Sequence, residues 1–248
     1  MNDSSENKLP AQPNLSLIGG IECLQAVTGS DTPLGSREVA RLLGLEHTRV
    51  NRLLGTLCFL GLLEKTPERK YAPGSAIHVL AAQSLRASRL LPAALPFLQD
   101  IISKDFIVAM GVLWRRQVCY LFYATPGGVL ETALGNHGLY PAESSGLGHL
   151  LLSEKPPEYL PNHFQSDLYC LPKSLYDKLL KEISRARSQG YASLETSPGI
   201  TSLAVGIGAP AQAALAFSGK MSAEEKPRLL QLLRDTAKKI AAQAGLDP

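Results

Sequence analysis

Residues 36–63 read SREVARLLGLEHTRVNRLLGTLCFLGLL, and this stretch decides the fold of the first part of the chain. At 3.6 residues per turn it is a helix, a sharp turn and a second helix. Val39, Leu42 and Leu43 fall on one side of the first helix, with Arg37, Glu38 and Arg41 outside. Gly44 supplies the permissive backbone that the break requires. The second helix begins at Glu46 or His47 and runs to Leu60, stopping at Gly61. Val50, Leu53, Leu54, Leu57 and Leu60 make an apolar stripe that has to be buried. Thr48, Asn51, Arg52 and Gly55 lie roughly opposite, flanked by Arg49 and Thr56. That outer face is short, polar and cationic, with no carboxylate. On such a face Arg and Asn can pair with base edges, and Thr can meet a phosphate or a thymine methyl. The same spacing also suits an αα-hairpin whose polar face meets only water.

Working outward, residues 62–65 and 71–72 read as two short strands joined by the polar tip Thr66-Pro67-Glu68-Arg69-Lys70, a wing. Arg69 and Lys70 at that tip would lie near phosphates, where a cation adds affinity and little specificity. Upstream, residues 16–28 read as a helix with Ser16 as N-cap and Leu17, Ile21, Leu24 and Val27 in one stripe. Residues 1–14 are polar and proline-bearing, and read as a disordered arm. Three helices and a β-wing make a winged helix-turn-helix over residues 15–74. Residues 75–90 follow as a linker helix with a small, apolar face of Ile77, Leu80, Ala81 and Leu85. That face suits either pairing with its twin in a dimer or packing on the next domain.

The 248 residues carry a formal net charge of only +3. The positive charge is local: residues 36–89 hold nine Lys and Arg against four Asp and Glu, whereas residues 90–248 hold fifteen against fourteen. This is the distribution a modular DNA binder needs. Cys23, Cys58, Cys119 and Cys170 are scattered without metal-ligand or disulfide spacing, and read as buried thiols of a cytoplasmic protein. No metal or cofactor is expected. The amino terminus lacks a signal-peptide core, and no uninterrupted apolar run is long enough to span a membrane.

Residues 91–248 read as a second, α+β domain. Residues 92–103 suggest a helix, and 106–113 and 118–123 strands around the Trp114-Arg115-Arg116-Gln117 turn. Residues 129–134 suggest a third strand, and 144–153 a loop entering a short helix. Residues 172–189 form an amphipathic helix with the capping pattern Ser174-x-x-Asp177, closed by Gly190. Residues 200–207 and 213–218 are apolar enough to be central strands, and Ser222-x-x-Glu225 opens a last helix that runs to Ala244. Gly146-Leu147-Gly148 at a helix start offers free N–H groups to a carboxylate. Ser144, Ser145, Ser202 and Ser218 are neutral donors that such a site could use, or they merely satisfy loops and strand edges.

These segments together resemble the isocitrate-lyase-regulator (IclR) family of bacterial transcription factors. The resemblance rests on REVARLLGLEHTRVNRLLGTLCFLGLLEK (37–65) with YAPG (71–74), PAESSGLGHLLLS (141–153), RARSQGYASLE (185–195), and LAVGIG (203–208) with ALAFSGK (214–220), in that order. It implies a winged helix, a linker helix and a GAF-like effector domain in a homodimer or homotetramer that binds double-stranded promoter DNA under control of a small organic acid. By the same resemblance, Arg37, Thr48, Arg49, Asn51 and Arg52 would contact DNA. Gly146, Leu147, Ser202 and Ser218 would line the effector pocket. The chain departs from the family pattern at His149 for Lys, Ser202 for Cys, Ala216 for Ser, Gly206 for Pro and Glu46 for Pro. The loop 193–198 is also about two residues short, which disturbs the alignment of Glu195. A pocket that has lost its ligand is the alternative these departures suggest. An enzyme is a further one, with His149 beside Glu143 or Ser145 as its imaginable pair, yet no hydrolase, zincin or nucleotide-binding motif accompanies the five histidines.

Overall fold

The computed structural model describes residues 12–134, 138–166 and 169–247. Most of the arm assigned to residues 1–14 lies outside them, as does His137. The chain divides between Ala87 and Ser88 into two compact units.

In the first unit α1 spans Leu15–Thr28, α2 Ser36–Leu43 and α3 His47–Phe59, and strands β1 (Leu63–Lys65) and β2 (Tyr71–Pro73) pair antiparallel as the wing. Gly44 holds φ 64° at the α2–α3 turn, the left-handed conformation that spares a glycine the Cβ clash. Cys23, Val27, Val39, Val50, Leu54, Leu57, Leu63 and Tyr71 close into one apolar core. Three sequence expectations are corrected. Asn14, rather than Ser16, caps α1, its Oδ1 accepting from the N–H groups of Ser16 and Leu17 at 3.1 and 3.0 Å. Leu17 and Ile21 of the expected stripe are exposed, because α1 turns Gly19, Cys23 and Val27 inward. Leu42 and Leu60 are exposed as well, and Ala40 takes the inner place on α2. Helix α4, Ala76–Ser88, has no buried residue.

In the second unit α5 (Leu90–Ile101) precedes strands β3 (Ile107–Trp114) and β4 (Gln117–Ala124). Strand β5 (Leu139–Pro141), helix α6 (Gly146–Ser153), helix α7 (Tyr159–Phe164) and the two-residue strands β6 (Gln165–Ser166) and β7 (Tyr169–Cys170) come next. Helix α8 (Lys173–Gln189), strands β8 (Ala192–Ser197), β9 (Ile200–Ile207) and β10 (Ala213–Gly219) and helix α9 (Glu225–Ala244) complete it. Six strands form one antiparallel sheet in the order β5-β4-β3-β10-β9-β8, so the apolar strands β9 and β10 are interior as their sequences require. Period-two alternation feeds two cores. Val108, Met110, Leu203, Val205, Leu215 and Phe217 pack with α5 and α9, while Ala109, Ala204, Ala214 and Ala216 receive α6 and α8. Small residues on that second face let the fully buried α6 lie close to the sheet.

The expected strand at 129–134 is absent. Leu130–Thr132 forms a 3₁₀ turn after the Gly127-Gly128 bend, Leu134 makes a single bridge to Phe122, and Leu139–Pro141 takes the edge beside β4 instead. The Ser174/Asp177 cap is absent too, since the chain enters α8 at Pro172, whose carbonyl accepts from Leu175 and Tyr176. The Ser222/Glu225 box does form, with reciprocal bonds of 2.9 and 3.2 Å. Cys170 is exposed and Cys58 and Cys119 are half-buried, so only Cys23 matches the expectation of a buried thiol; burial pushes it up to about 11.

Candidate nucleic-acid interface and effector pocket

Helix α3 presents Thr48, Asn51, Arg52, Gly55 and Thr56 outward while Val50, Leu54 and Leu57 are buried beneath them. An added Cβ at Gly55 would meet nothing within 4 Å, so this face is open. Arg37 on α2 and Arg69 and Lys70 at the wing tip are also exposed. Arg69 takes φ 61° in the tight β1–β2 turn, where its N–H donates to Thr66 O at 2.9 Å. The buried Tyr71 of β2 donates its hydroxyl to Asn51 Oδ1 at 3.4 Å, tying wing to helix.

Arg49 is different. It is half-buried, its Nη2 donates to Leu15 O at 2.5 Å, and the same atom would sit 3.3 Å from a Cβ added at Gly19. Its charge is spent on the start of α1, off the outward face. The sequence projection placed it only at the flank of that face and could not see this partner.

Glu46 caps α3. Its carboxylate accepts from the N–H groups of Thr48 and Arg49, each at 2.8 Å, and these bonds hold it below the usual carboxylate range. His47 Nε2 and Ser36 Oγ, 3.0 Å apart, bridge the starts of α3 and α2.

In the second unit Ser144, Ser145, Gly146, Leu147, Ser202 and Ser218, the six residues singled out from sequence, border one cavity of about 90 Å³. Ser145 caps α6: its Oγ accepts from Gly148 N at 3.3 Å and its carbonyl from His149 N at 2.9 Å. Helix geometry leaves the N–H groups of Gly146 and Leu147 ahead of these without an intrahelical acceptor. Close packing explains the glycines. A Cβ on Gly146 would come within 2.5 Å of Ser202 Oγ, and one on Gly148 would strike the Ala142 backbone. Ser202 and Ser218 are directly opposed across β9 and β10.

Residues the sequence reading did not single out complete the wall: Tyr120, Tyr123, Ile107, Ala109, Ala216 and Thr196. The Tyr120 hydroxyl is hydrogen-bonded to Ser145 Oγ at 3.3 Å. Burial pushes the phenols of Tyr120 and Tyr123 above their usual range, so both are neutral at physiological pH. None of the described lining residues carries a charge. Glu195 lies outside the pocket, its Oε1 accepting from Gly199 N at 3.0 Å across the β8–β9 turn, and Thr196 takes the place beside the cavity. The bulge between Glu195 and Ser197 accounts for that exchange. His149 is buried outside the cavity wall with Nε2 on Glu143 O at 2.9 Å, and burial holds it below the usual imidazole range. The Glu143 side chain turns away to accept the Tyr169 hydroxyl at 3.0 Å.

A winged helix joined to a domain with a polar-ended pocket defines a one-component transcriptional regulator, which reads DNA with one part and binds a small effector with the other. The family model described as the bacterial transcriptional regulator IclR C-terminal domain matches residues 82–242, and the IclR helix-turn-helix domain matches residues 17–67. The chain belongs to the IclR family of bacterial transcriptional regulators. Comparison with curated proteins finds no match. Solved structures share the fold. A putative IclR regulator from Silicibacter sp. TM1040 is 20% identical with a TM-score of 0.78, over 94% of this chain and 98% of that one. An IclR-family regulator from Brucella abortus is 20% identical with a TM-score of 0.73, over 98% of each chain. An IclR homologue from Microbacterium hydrocarbonoxydans, complexed with 4-hydroxybenzoate, is 21% identical with a TM-score of 0.65, over 93% and 99%.

Proposed function

We propose that this protein is a cytoplasmic regulator that binds promoter DNA as a symmetric oligomer and changes its grip when a small organic acid enters the pocket at the start of α6. The observation that carries the DNA half is the outward face of α3, where Thr48, Asn51 and Arg52 stand exposed above a leucine-filled base. Arg52 and Asn51 would reach base edges and Thr48 a backbone phosphate, while Arg37, Arg69 and Lys70 would add phosphate contacts from α2 and the wing. Arg49, bound to α1, serves the fold of the reading head.

The pocket half rests on the convergence of two helix N–H groups with Ser202 and Ser218 around one small cavity. A carboxylate fits such a site without a cationic partner, because oriented neutral donors stabilise an anion in a low-dielectric setting. The related Microbacterium protein is complexed with an aromatic acid, which supports an acid ligand here without fixing its size. Dimerisation is supported by the exposed Val79 and Leu80 of α4, the helix that ends at the boundary between the two units.

Mobility shifts on DNA flanking the protein's own coding region, at two salt concentrations and with carboxylic acids added singly, test this reading. Selective, salt-sensitive binding that an acid alters supports it. Binding that ignores sequence, or a complex indifferent to every acid, contradicts the respective half.

A further inference from the structure

We propose that Tyr120 and Tyr123 form a size gate that limits the effector to short carboxylates of about two to four carbons and excludes aromatic acids; this rests on the pocket reading above.

Residues three apart on a regular strand face opposite sides, so Tyr120 and Tyr123 should be separated by the sheet. Strand β4 carries a bulge instead: Gly111 pairs with Tyr120 and Met110 with Phe122, leaving Leu121 as the additional residue. Leu121 and Phe122 both join the core on the α9 side, while Tyr120 and Tyr123 both face α6. One extra residue thus puts two phenol rings on the same side of the cavity.

The rings are held there by each other. Tyr120 and Tyr123 meet edge to face with centroids 5.4 Å apart, and Tyr120 and Tyr140 at 5.0 Å. The hydrogen bond to Ser145 Oγ anchors the hydroxyl of Tyr120 to the cap of α6. Swinging Tyr120 aside would break all three contacts at once.

What remains is about 90 Å³, although the floor is built from small residues, Ala109 and Ala216. An engineered apolar cavity that accepts benzene measures about 150 Å³, more than the space here. A carboxylate on the N–H groups of Gly146 and Leu147 leaves room for a few further atoms before the tyrosine wall is reached. An aromatic ring does not fit without displacing it.

The test uses the full-length protein and calorimetric titration with acetate, propionate, butyrate, hexanoate and benzoate. The expected result is binding that strengthens to butyrate and is lost at hexanoate and benzoate. Tyr120→Ala should gain at least tenfold in benzoate affinity, and Tyr123→Ala should move the cut-off in the same direction by an independent route. Tyr120→Phe, which keeps the ring and drops the hydroxyl, should still exclude benzoate; circular dichroism and gel filtration verify that each variant is folded. Benzoate binding to the wild type as tightly as butyrate overturns the gate while leaving the pocket intact. So does a pair of folded alanine variants with an unchanged cut-off. If no carboxylate binds the wild type or either alanine variant, the pocket reading fails and the gate with it.

Discussion

Glu46 shows what a single side chain can decide. It occupies the cap of α3, where an acceptor is needed for two N–H groups, and its negative charge complements the positive end of the helix. The same charge stands where an approaching phosphate would otherwise be drawn to the helix start. Because the folded-state pKa is depressed, the stability this cap contributes is complete above the unfolded value near 4.5 and disappears as pH falls through the lower folded value. Thermal melts of the wild type should therefore lose stability below pH 4.5 more steeply than those of Glu46→Gln. That variant should bind unrelated DNA more tightly at low salt. Arg52 and Arg49 offer a contrast on the same helix. Arg52→Ala should reduce discrimination between cognate and unrelated DNA by about 10- to 100-fold, with Tm unchanged, because it removes an exposed group proposed to read base edges. Arg49→Ala should instead lower Tm, by an amount reflecting about 1 kcal/mol, because it unties α3 from Leu15 O. Equal loss of discrimination in both variants would return Arg49 to the reading face. At the pocket, Gly146→Ala places a methyl against Ser202 Oγ and should abolish any response to carboxylates.

Among the elements, α4 is notable for burying nothing while exposing Val79 and Leu80 at 55% and 53%. A helix with no fully buried residue is marginal in water, and the proposed second copy would cover its exposed apolar side chains. Leu80→Asp should shift the sedimentation profile toward monomer and weaken DNA affinity together, since two half-sites must be held by one rigid pair. An unchanged oligomeric state would relocate the interface. Helix α6 is the opposite case, with all eight residues buried and two glycines at its entrance that let it approach β9 and the preceding turn. His149 within it is held neutral by burial, so its folded-state pKa is depressed. Stability is therefore highest above the unfolded value of 6.5 and declines as pH drops below it. His149→Gln should flatten that decline in urea titrations between pH 7 and 5.

On the scale of the whole molecule, two units with separate cores perform two tasks. Ser202 and Ser218 were expected beside the cavity only through the family resemblance, whereas the helix pair, the wing, the interior position of β9 and β10 and the α6 start at 144–147 were legible in the sequence. Each follows from a local rule: a 3.6-residue period, a glycine at a left-handed turn, an apolar run too long for a sheet edge, or free N–H groups at a helix start. Elsewhere the local rule misleads. Residues 129–134 have strand composition, yet the Gly127-Gly128 bend sends them into a 3₁₀ turn, and the edge position falls to 139–141. Leu17 and Ile21 match a helical stripe but stay outside, because α1 packs through its smaller residues Gly19 and Cys23.

By itself, then, the sequence determined a helix-turn-helix with a polar, cationic outer face over a leucine base, and a second domain with a glycine-bearing helix start capped by serine. Those features depend on residue types within a few turns of one another. The tertiary structure alone decided which cation faces outward, which of Glu195 and Thr196 borders the cavity, and how large that cavity is. Arg49 finds its partner 34 residues away, and Tyr120 and Tyr123 share a side only through a bulge. Such outcomes turn on register and on contacts between distant segments, which no local period encodes.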